Sequence, residues 1–186
     1  MNTYKVLNNH IFKLGVFKLL PIRFEDRLVI MKWRNEQIYH LRQDRPLTVE
    51  DQENYFKTVV LNLFRQEQPN QILFSFLEND ILIGYGGLVH INWIDKNAEI
   101  SFIMDTKLEE LHFNKYWKNF LVLLEILAFK TLNFHKIFTY AYNIRPKLFE
   151  ILIQCNYTDV VILHEHVLID NVYEDVLIHS KLNKVD

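Results

Sequence analysis

The segment that most constrains the fold is NKYWKNFLVLLEILAFKTL, residues 114–132, which has the length and composition of a helix. Apolar side chains occupy nearly all sides of this helix, so it is stable in water only if other parts of the chain cover it. Glu125 interrupts its most apolar stretch, and no segment reaches the ~18–20 apolar residues of a membrane span. The sequence therefore predicts a helix packed against a sheet.

Strand-like segments stand on both sides of this helix. Residues 71–80, 81–95 and 97–105 precede it as an antiparallel series joined by tight turns, and residues 135–143 follow it. A strand, a helix and another strand in succession indicate a crossover between two parallel strands. The expected fold class is α+β, with a mixed, mostly antiparallel sheet that contains one parallel pair and is flanked by helices.

The remaining segments fit the same architecture. They are a strand over 16–22, helices over 24–37, 47–66 and 146–155, and a closing hairpin that turns at Asn171. The second of these helices has a start signature close to a capping box, formed by Thr48 and Asp51. No linker-like stretch divides residues 1–186, so we expect a single domain in which residues 1–14 form an N-terminal extension.

Charge and cysteine content limit the classes of function. The formal net charge is −2 and the isoelectric point is about 6.4, which gives no basic surface for nucleic acid. Cys155 is the single cysteine, so no internal disulfide can form and a reducing compartment fits best. With no signal peptide and no membrane span, we expect a cytoplasmic protein that does not associate with membranes.

The order and spacing of these elements resemble the GNAT superfamily of acetyl-CoA-dependent N-acetyltransferases. The likeness covers roughly residues 15–180 and is carried by KWRN at 32–35, the glycine-containing strand at 81–95 and AEISFIMD at 98–105. It is closest to the RimJ/RimL-like branch and to the aminosugar N-acetyltransferases of the pseudaminic acid pathway, which share a KWRN-type stretch. The resemblance implies acetyl-CoA as co-substrate, no metal, and a small-molecule amine as acceptor.

The resemblance also implies where the donor would bind. Members of the family hold the pantetheine arm in a wedge between the strands that correspond to 98–104 and 136–142. They hold the pyrophosphate at a glycine-rich start of the long helix, where this chain reads HFNKYW at 112–117. The cofactor-binding residues expected on the first strand and at this helix start are Ser101, Phe102, Ile103, Met104, His112, Asn114, Lys115, Tyr116, Trp117 and Lys118.

Glu99 is the expected catalytic residue. An alkyl ammonium with a pKa near ~10 must lose a proton before it can attack a thioester, and a carboxylate beside the wedge could accept that proton. Burial would raise the pKa of this carboxyl group and match it better to neutral pH. The alternative is that Glu99 faces solvent beside Lys96 and has no role.

The acceptor side is expected around the KWRN stretch and the end of the glycine-containing strand. The substrate-binding residues expected there are Trp33, Arg34, Asn35, His90 and Trp93, with Arg42 following in the same region. A nucleotide-linked aminosugar is the first acceptor considered, and a protein N-terminal amine is the second. Because residues 112–117 depart from the family pattern, a non-catalytic binding module that has lost CoA binding is a third interpretation. The sequence leaves the oligomeric state open, and a homodimer is one assembly it allows.

Three of the four glycines, Gly84, Gly86 and Gly87, lie in the strand at 81–95. A strand glycine often marks a bulge or the close approach of a ligand or another chain. The alternative is that these glycines only relieve crowding beneath a large aromatic residue.

The proton donor for the departing thiolate has no clear candidate. In the resembling enzymes a tyrosine often serves, and its position falls near Leu152, with Phe149 one turn earlier, neither of which can donate a proton. Tyr140 and Tyr142 are the substitutes considered. His164 and His166 place two imidazoles on one strand face, but no third ligand is evident, so no metal site is expected.

Overall fold

The computed structural model describes residues 2–184, and within these residues eight strands form one sheet. The strands are β1 (Phe12–Leu14), β2 (Phe17–Pro21), β3 (Ile72–Glu78), β4 (Ile81–Asn92), β5 (Asn97–Met104), β6 (Lys136–Tyr142), β7 (Asp159–Ile169) and β8 (Val172–Leu182). Their order across the sheet is β1-β2-β3-β4-β5-β6-β8-β7. Neighbouring strands are antiparallel except β5 and β6, which are parallel. The expected α+β class, with a mostly antiparallel sheet and one parallel pair, is confirmed.

Helices cover the sheet and connect its strands. They are α1 (Arg27–Glu36), α2 (Val49–Asn54), α3 (Leu61–Leu63), α4 (Thr106–Glu125) and α5 (Pro146–Gln154). Tyr55–Val60 joins α2 to α3 as a π-helical segment, so the helix predicted over 47–66 is continuous but irregular. The capping box is present, since Thr48 Oγ1 accepts from the N–H of Asp51 and the Asp51 carboxylate accepts from the N–H of Thr48.

The longest helix begins at Thr106, eight residues before the expected start, so that prediction was wrong at its N-terminal end. Asp105 caps it, because its carboxylate accepts from the N–H of Lys107 and its carbonyl accepts from the N–H of Glu109. His112 has φ −131° and ψ 20°, which interrupts the helical geometry. Residues 112–117 therefore form a kinked part of the helix body instead of a loop at its start.

The helix α4 is buried against the sheet as its composition requires. Phe120, in the C-terminal half of α4, is fully buried and stacks on Phe102 of β5 with ring centroids 4.0 Å apart. Ile126–Thr131 continues the helix as a π-helical segment up to the turn before β6. None of the helices in residues 2–184 combines the length and the apolar character needed to cross a bilayer.

Both explanations considered for the strand glycines have support, because a bulge adjoins Gly84 where the pairing of β3 with β4 shifts between Phe76 and Leu77, and the glycines also relieve crowding. A Cβ on Gly86 would lie 2.8 Å from Phe102 Cα and 2.9 Å from Phe120 Cζ, and it would collide with the carbonyl of Ser101. A Cβ on Gly84 would lie 2.8 Å from Phe102 Cε2. Gly84 and Gly86 let β5 and its aromatic residues approach β4 closely.

Candidate active site

The two parallel strands separate part of the way along their length. β5 and β6 are paired at Asn97–Lys136, Ala98–Ile137 and Glu99–Phe138, and at no later residue that the structure describes. Beyond this point β5 continues to Met104 and β6 to Tyr142 with a gap between them. A strand whose edge is unpaired presents backbone N–H and C=O groups that a ligand can bind.

A cavity of about 100 Å³ occupies this gap. Its walls come from both strands, from α4 and α5, and from the segment after α1. The lining residues are His40, Leu41, Arg42, Glu99, Ile100, Ser101, Phe102, Ile103, Trp117, Thr139, Tyr140, Ala141, Tyr142, Arg145 and Leu148. We call this space the wedge cavity.

A larger cavity of about 520 Å³ lies beside it, and we call this space the side cavity. It is enclosed mainly by α1, α2, the segment between them and the middle strands of the sheet. The lining residues are Ile22, Ile30, Arg34, Leu41, Arg42, Leu47, Asp51, Gln52, Tyr55, Phe56, Gln71, Leu73, Tyr85, Val89, His90, Glu99 and Ser101. The two cavities share Leu41, Arg42, Glu99 and Ser101, so these residues stand where the two spaces meet.

Glu99 is buried at the point where β5 and β6 part, and only 6% of it is exposed. The alternative in which it faces solvent is therefore wrong. Its carboxylate accepts from Arg42 Nη2 and lies 3.9 Å from His90 Nε2. Burial raises the pKa of the Glu99 carboxyl group, while the charges of Arg42 and His90 oppose that rise.

Local backbone irregularity orients His90 toward Glu99. The pairing of β4 with β5 is interrupted between Val89 and Asn92, and His90 has a left-handed φ of 48°. A bulge of this kind redirects a side chain at a sheet position that would otherwise follow the regular alternation. His90 thus approaches the buried carboxylate while most of its ring remains exposed.

The residues expected to bind the donor fall into two groups. Ser101, Phe102 and Ile103 of β5 line the wedge cavity, and Trp117 of α4 lines it from the opposite wall. Met104 does not line it, because its side chain is buried in the core and its carbonyl accepts from Gln37 Nε2 at 2.8 Å.

Apart from Trp117, the residues of α4 that were expected to bind the donor line neither cavity. Lys115 Nζ is 2.6 Å from the carboxylate of Glu78 at the end of β3, and Tyr116 donates to the same carboxylate at 2.8 Å. These side chains therefore point toward β3 and away from the wedge. The other members of the group, His112, Asn114 and Lys118, are exposed and line neither cavity.

Among the residues expected to bind the acceptor, Arg34 and His90 line the side cavity. Trp33 is buried in the core with 2% exposure, so it packs the fold and faces neither cavity. Asn35 holds the chain after α1, since its amide donates to Leu47 O and its carbonyl accepts from the N–H of Leu47. Trp93 donates to Pro69 O and packs on Phe134, away from both cavities.

Two ionisable residues that sequence reasoning did not assign to the site are among those that line the wedge cavity. His40 follows α1, and Arg145 precedes α5 by one residue. Neither lies in a recognisable motif, and only the tertiary fold brings them together. Their ring and guanidinium are joined by a 3.4 Å contact from Arg145 Nη1 to His40 Nδ1.

Both tyrosines considered as proton donors line the wedge cavity. Tyr140 lies under Arg42, whose Cζ is 4.5 Å from the ring centroid, and Tyr142 is buried, which raises the pKa of its phenol. From α5, Leu148 reaches the cavity, whereas Leu152 is in the core and Phe149 stacks on His179. Within residues 2–184 no three His, Cys, Asp or Glu side chains are grouped as metal ligands.

Solved structures with this fold include spermidine N-acetyltransferases from Vibrio cholerae. The complex with CoA and spermine matches with a TM-score of 0.76 and 20% identity over 91% of this chain and 97% of that one. Glutamate-to-glutamine mutant forms of the enzyme match with a TM-score of 0.74 and 21% identity, and a dodecameric structure matches with a TM-score of 0.72 and 22% identity. Each match covers 91% of this chain and 95% of the other. At this identity the likeness establishes the fold. No curated protein sequence matches the chain.

The family can be assigned from the sequence itself. The protein-family model for the acetyltransferase (GNAT) domain matches residues 21–177 of the sequence. This range contains α1, the strands β3 to β6 and the residues that line both cavities. The parted strands β5 and β6 and the buried carboxylate between them lie within this range. The chain therefore belongs to the GNAT acetyltransferase family.

Proposed function

We propose that this protein transfers an acetyl group from acetyl-CoA, bound in the wedge cavity, to a primary amine of a small molecule bound in the side cavity. The observation that carries the proposal is the position of Glu99, which is buried where the two cavities meet. A thioester from one side and an amine from the other would come together at this carboxylate. Holding two reactants in this way supplies much of the rate enhancement in a direct transfer.

Glu99 would act as the general base. The incoming ammonium group gives up a proton to the carboxylate, directly or through a water molecule, and the neutral nitrogen attacks the thioester carbonyl carbon. The negative charge that develops on the carbonyl oxygen would be stabilised by backbone N–H groups of β5, which has no strand partner on the β6 side after Glu99. No covalent intermediate with the protein is needed.

The tetrahedral intermediate then breaks its carbon–sulfur bond, and the CoA thiolate leaves with a proton. The phenols that reach the wedge cavity are those of Tyr140 and Tyr142. Burial raises the pKa of Tyr142, so its phenol carries a proton at neutral pH. We assign the proton donor role to Tyr142, and comparison of Tyr142→Phe with Tyr140→Phe tests this assignment.

The acceptor that we propose first is a nucleotide-linked aminosugar. Arg34 lines the side cavity, and its Nε and Nη1 atoms donate to neutral groups, Gln43 Oε1 at 3.0 Å and Tyr85 Oη at 2.8 Å. A half-buried guanidinium with neutral partners favours a ligand that brings negative charge, such as a phosphate. The acidic residues in the same cavity, Asp51 and Glu99, are paired with Arg45 and Arg42.

The likeness to the RimJ/RimL-like branch keeps a protein N-terminal amine as the second acceptor, because a peptide carboxylate could also bind Arg34. The fold is shared with enzymes named for spermidine, so a polyamine belongs in the same comparison. The positive charges of Arg34 and Arg42 would repel a polycation in the side cavity, and both carboxylates that line this cavity are already paired with arginines. These charges disfavour a polyamine as the acceptor.

The experiment is a thermal-shift and calorimetric titration with acetyl-CoA, followed by an acceptor panel with release of the CoA thiol as the readout. The panel contains a nucleotide-linked aminosugar, the free aminosugar, a peptide with a free N-terminus and spermidine. We expect stabilisation by acetyl-CoA and fastest thiol release with the nucleotide-linked sugar. Absence of acetyl-CoA binding at millimolar concentration would leave a binding module and overturn the proposal.

A further inference from the structure

An ion pair joins the segments that follow β5 and β6, and its arginine, Arg145, lines the wedge cavity. β5 and β6 part after Glu99 and Phe138, and their chains continue to Glu109 on α4 and to Arg145 before α5. Arg145 Nη2 is 2.7 Å from Glu109 Oε1, and both side chains are largely buried, with 12% and 16% exposure. The pair therefore joins the two segments that follow the separated strands.

A chain of neutral groups holds Arg145 in place. Its Nη1 lies 3.4 Å from His40 Nδ1, and since arginine can only donate, this ring nitrogen is the acceptor. The other ring nitrogen of His40 faces Gln37 Oε1 at 3.4 Å, and Gln37 Nε2 donates to Met104 O at the end of β5. Burial and the neighbouring charge of Arg145 lower the pKa of His40 to about 3, so the ring is uncharged at neutral pH.

Arg145 is consequently a charged group in the lining of the wedge cavity, and no basic side chain of α4 lines this cavity. The lysine expected to meet phosphate, Lys115, is paired with Glu78 on the far side of α4. A guanidinium offers several N–H donors in a planar array that fits phosphate oxygens, and phosphate forms stronger contacts with it than a neutral acceptor does.

We propose that Arg145 binds a phosphate group of the CoA donor, and that Glu109 holds this guanidinium until the phosphate displaces it. The proposal rests on the proposed function, because it requires CoA to enter the wedge cavity. It assigns to a side chain the role for which the family uses glycine-rich backbone. Glu109 would compete with the donor for the same guanidinium and repel its negative charge, so it would reduce the affinity for CoA.

The test measures dissociation constants for CoA, 3′-dephospho-CoA and pantetheine by calorimetry in the wild type and in variants. Arg145→Ala should weaken CoA binding by roughly ten- to a hundred-fold and leave pantetheine binding unchanged, because pantetheine carries no phosphate. If Arg145→Ala weakens the binding of 3′-dephospho-CoA less than that of CoA, the 3′-phosphate is the partner of Arg145. If it weakens the binding of both to the same extent, the pyrophosphate is the partner. Lys57→Ala is the matched control, because Lys57 is paired with Glu53 and lines neither cavity, and it should leave the CoA affinity unchanged.

Glu109→Gln should tighten CoA binding by roughly three- to ten-fold, because it removes the one carboxylate that competes with the phosphate for Arg145. The affinity for CoA should also depend more strongly on salt concentration in this variant. When Arg145→Ala is already present, adding Glu109→Gln should tighten CoA binding much less, because there is no guanidinium left for Glu109 and the phosphate to compete for. Circular dichroism checks that each variant is folded, and Arg145→Lys, which keeps the charge, should bind with intermediate affinity.

The outcomes separate the two proposals. If the wild type binds CoA and Arg145→Ala binds it equally well, or loses CoA and pantetheine to the same extent, the role of Arg145 is overturned and the proposed function stands. If Glu109→Gln weakens CoA binding, competition by Glu109 is overturned. If the wild type does not bind CoA at millimolar concentration, the proposed function and the role of Arg145 are both overturned.

Discussion

Glu99 and Phe138 are the last residues at which β5 and β6 lie side by side, and beyond them the two parallel strands part. The only buried carboxylate on β5 thus stands at the closed end of the gap, within the part of the chain that the structure describes. Backbone groups that can bind a thioester begin immediately after it. In the proposed reaction, the geometry that opens a slot for the donor would therefore also place the carboxylate of Glu99 beside the donor's reacting carbon.

The first prediction concerns Glu99→Gln, which preserves shape and removes the basic group. We expect the turnover rate to fall by roughly 10²–10⁴-fold, the range typical of a lost general base. The affinity for acetyl-CoA should be unchanged, because the amine is the group that Glu99 serves. Thiol release at saturating donor measures the first quantity, and calorimetry measures the second.

Glu78→Gln is the control for that substitution, because Glu78 is a carboxylate on β3 that lines neither cavity. Its activity should remain near that of the wild type. Activity of Glu99→Gln within roughly threefold of the wild type would show that the amine loses its proton by another route.

The second prediction concerns pH. Burial raises the pKa of Glu99, and the charge of Arg42 opposes the rise, so removing Arg42 should raise this pKa further. The reaction needs the carboxylate form, so activity falls as the pH drops through this pKa. Arg42→Ala should therefore move the acidic limb of the profile of kcat/KM to higher pH. Arg45→Ala, in the same segment but paired with Asp51, should leave that limb where it is.

Much of the architecture could be predicted because it depends on local patterns. The apolar helix α4 had to be buried, the turns at Asn79–Asp80 and Asn171 have residues that accept a left-handed φ, and a helix between two strands indicates a parallel pair. Glu99 could be singled out because an acid in an apolar strand is unusual and because the family resemblance supports this position. These signals lie within a few residues of one another.

The other parts of the site depend on contacts between distant segments. His40 and Arg145 are more than a hundred residues apart, and no periodic pattern links them. The start of α4 was misplaced because the family resemblance put a phosphate-binding helix start at 112–117, whereas Asp105 caps the helix through its side chain. The partner of Lys115 could not be foreseen, since Glu78 reaches it from β3 only when the sheet is assembled.

The third prediction concerns packing between β4 and β5. Gly86→Ala should lower the free energy of unfolding by roughly 1–3 kcal/mol, since the added methyl group meets the Ser101 carbonyl and the Phe120 ring. Denaturant unfolding monitored by tryptophan fluorescence measures this loss. If the stability is unchanged within roughly 0.5 kcal/mol, the strands are looser than the close approach of Phe102 and Phe120 indicates.

The fourth prediction concerns the stability of the fold as a function of pH. The pKa of His40 is about 3 in the folded protein and near 6.5 when the ring is in water, because burial and Arg145 disfavour its charged form. Between these two values the unfolded chain binds a proton that the folded chain does not, so acid favours unfolding. The contribution of His40 to stability should thus be complete above pH 6.5 and decrease as the pH falls toward 3.

The measurement is the difference in unfolding free energy between the wild type and His40→Gln, recorded at several pH values across this window. Glutamine can still accept from Arg145 but does not titrate, so titrations elsewhere in the chain cancel in the difference. We expect the wild type to lose stability relative to His40→Gln as the pH is lowered. A difference that is constant with pH would mean that the His40 ring takes up its proton in the folded state as readily as in water, and the neutral support that it gives Arg145 would then be lost at mildly acidic pH.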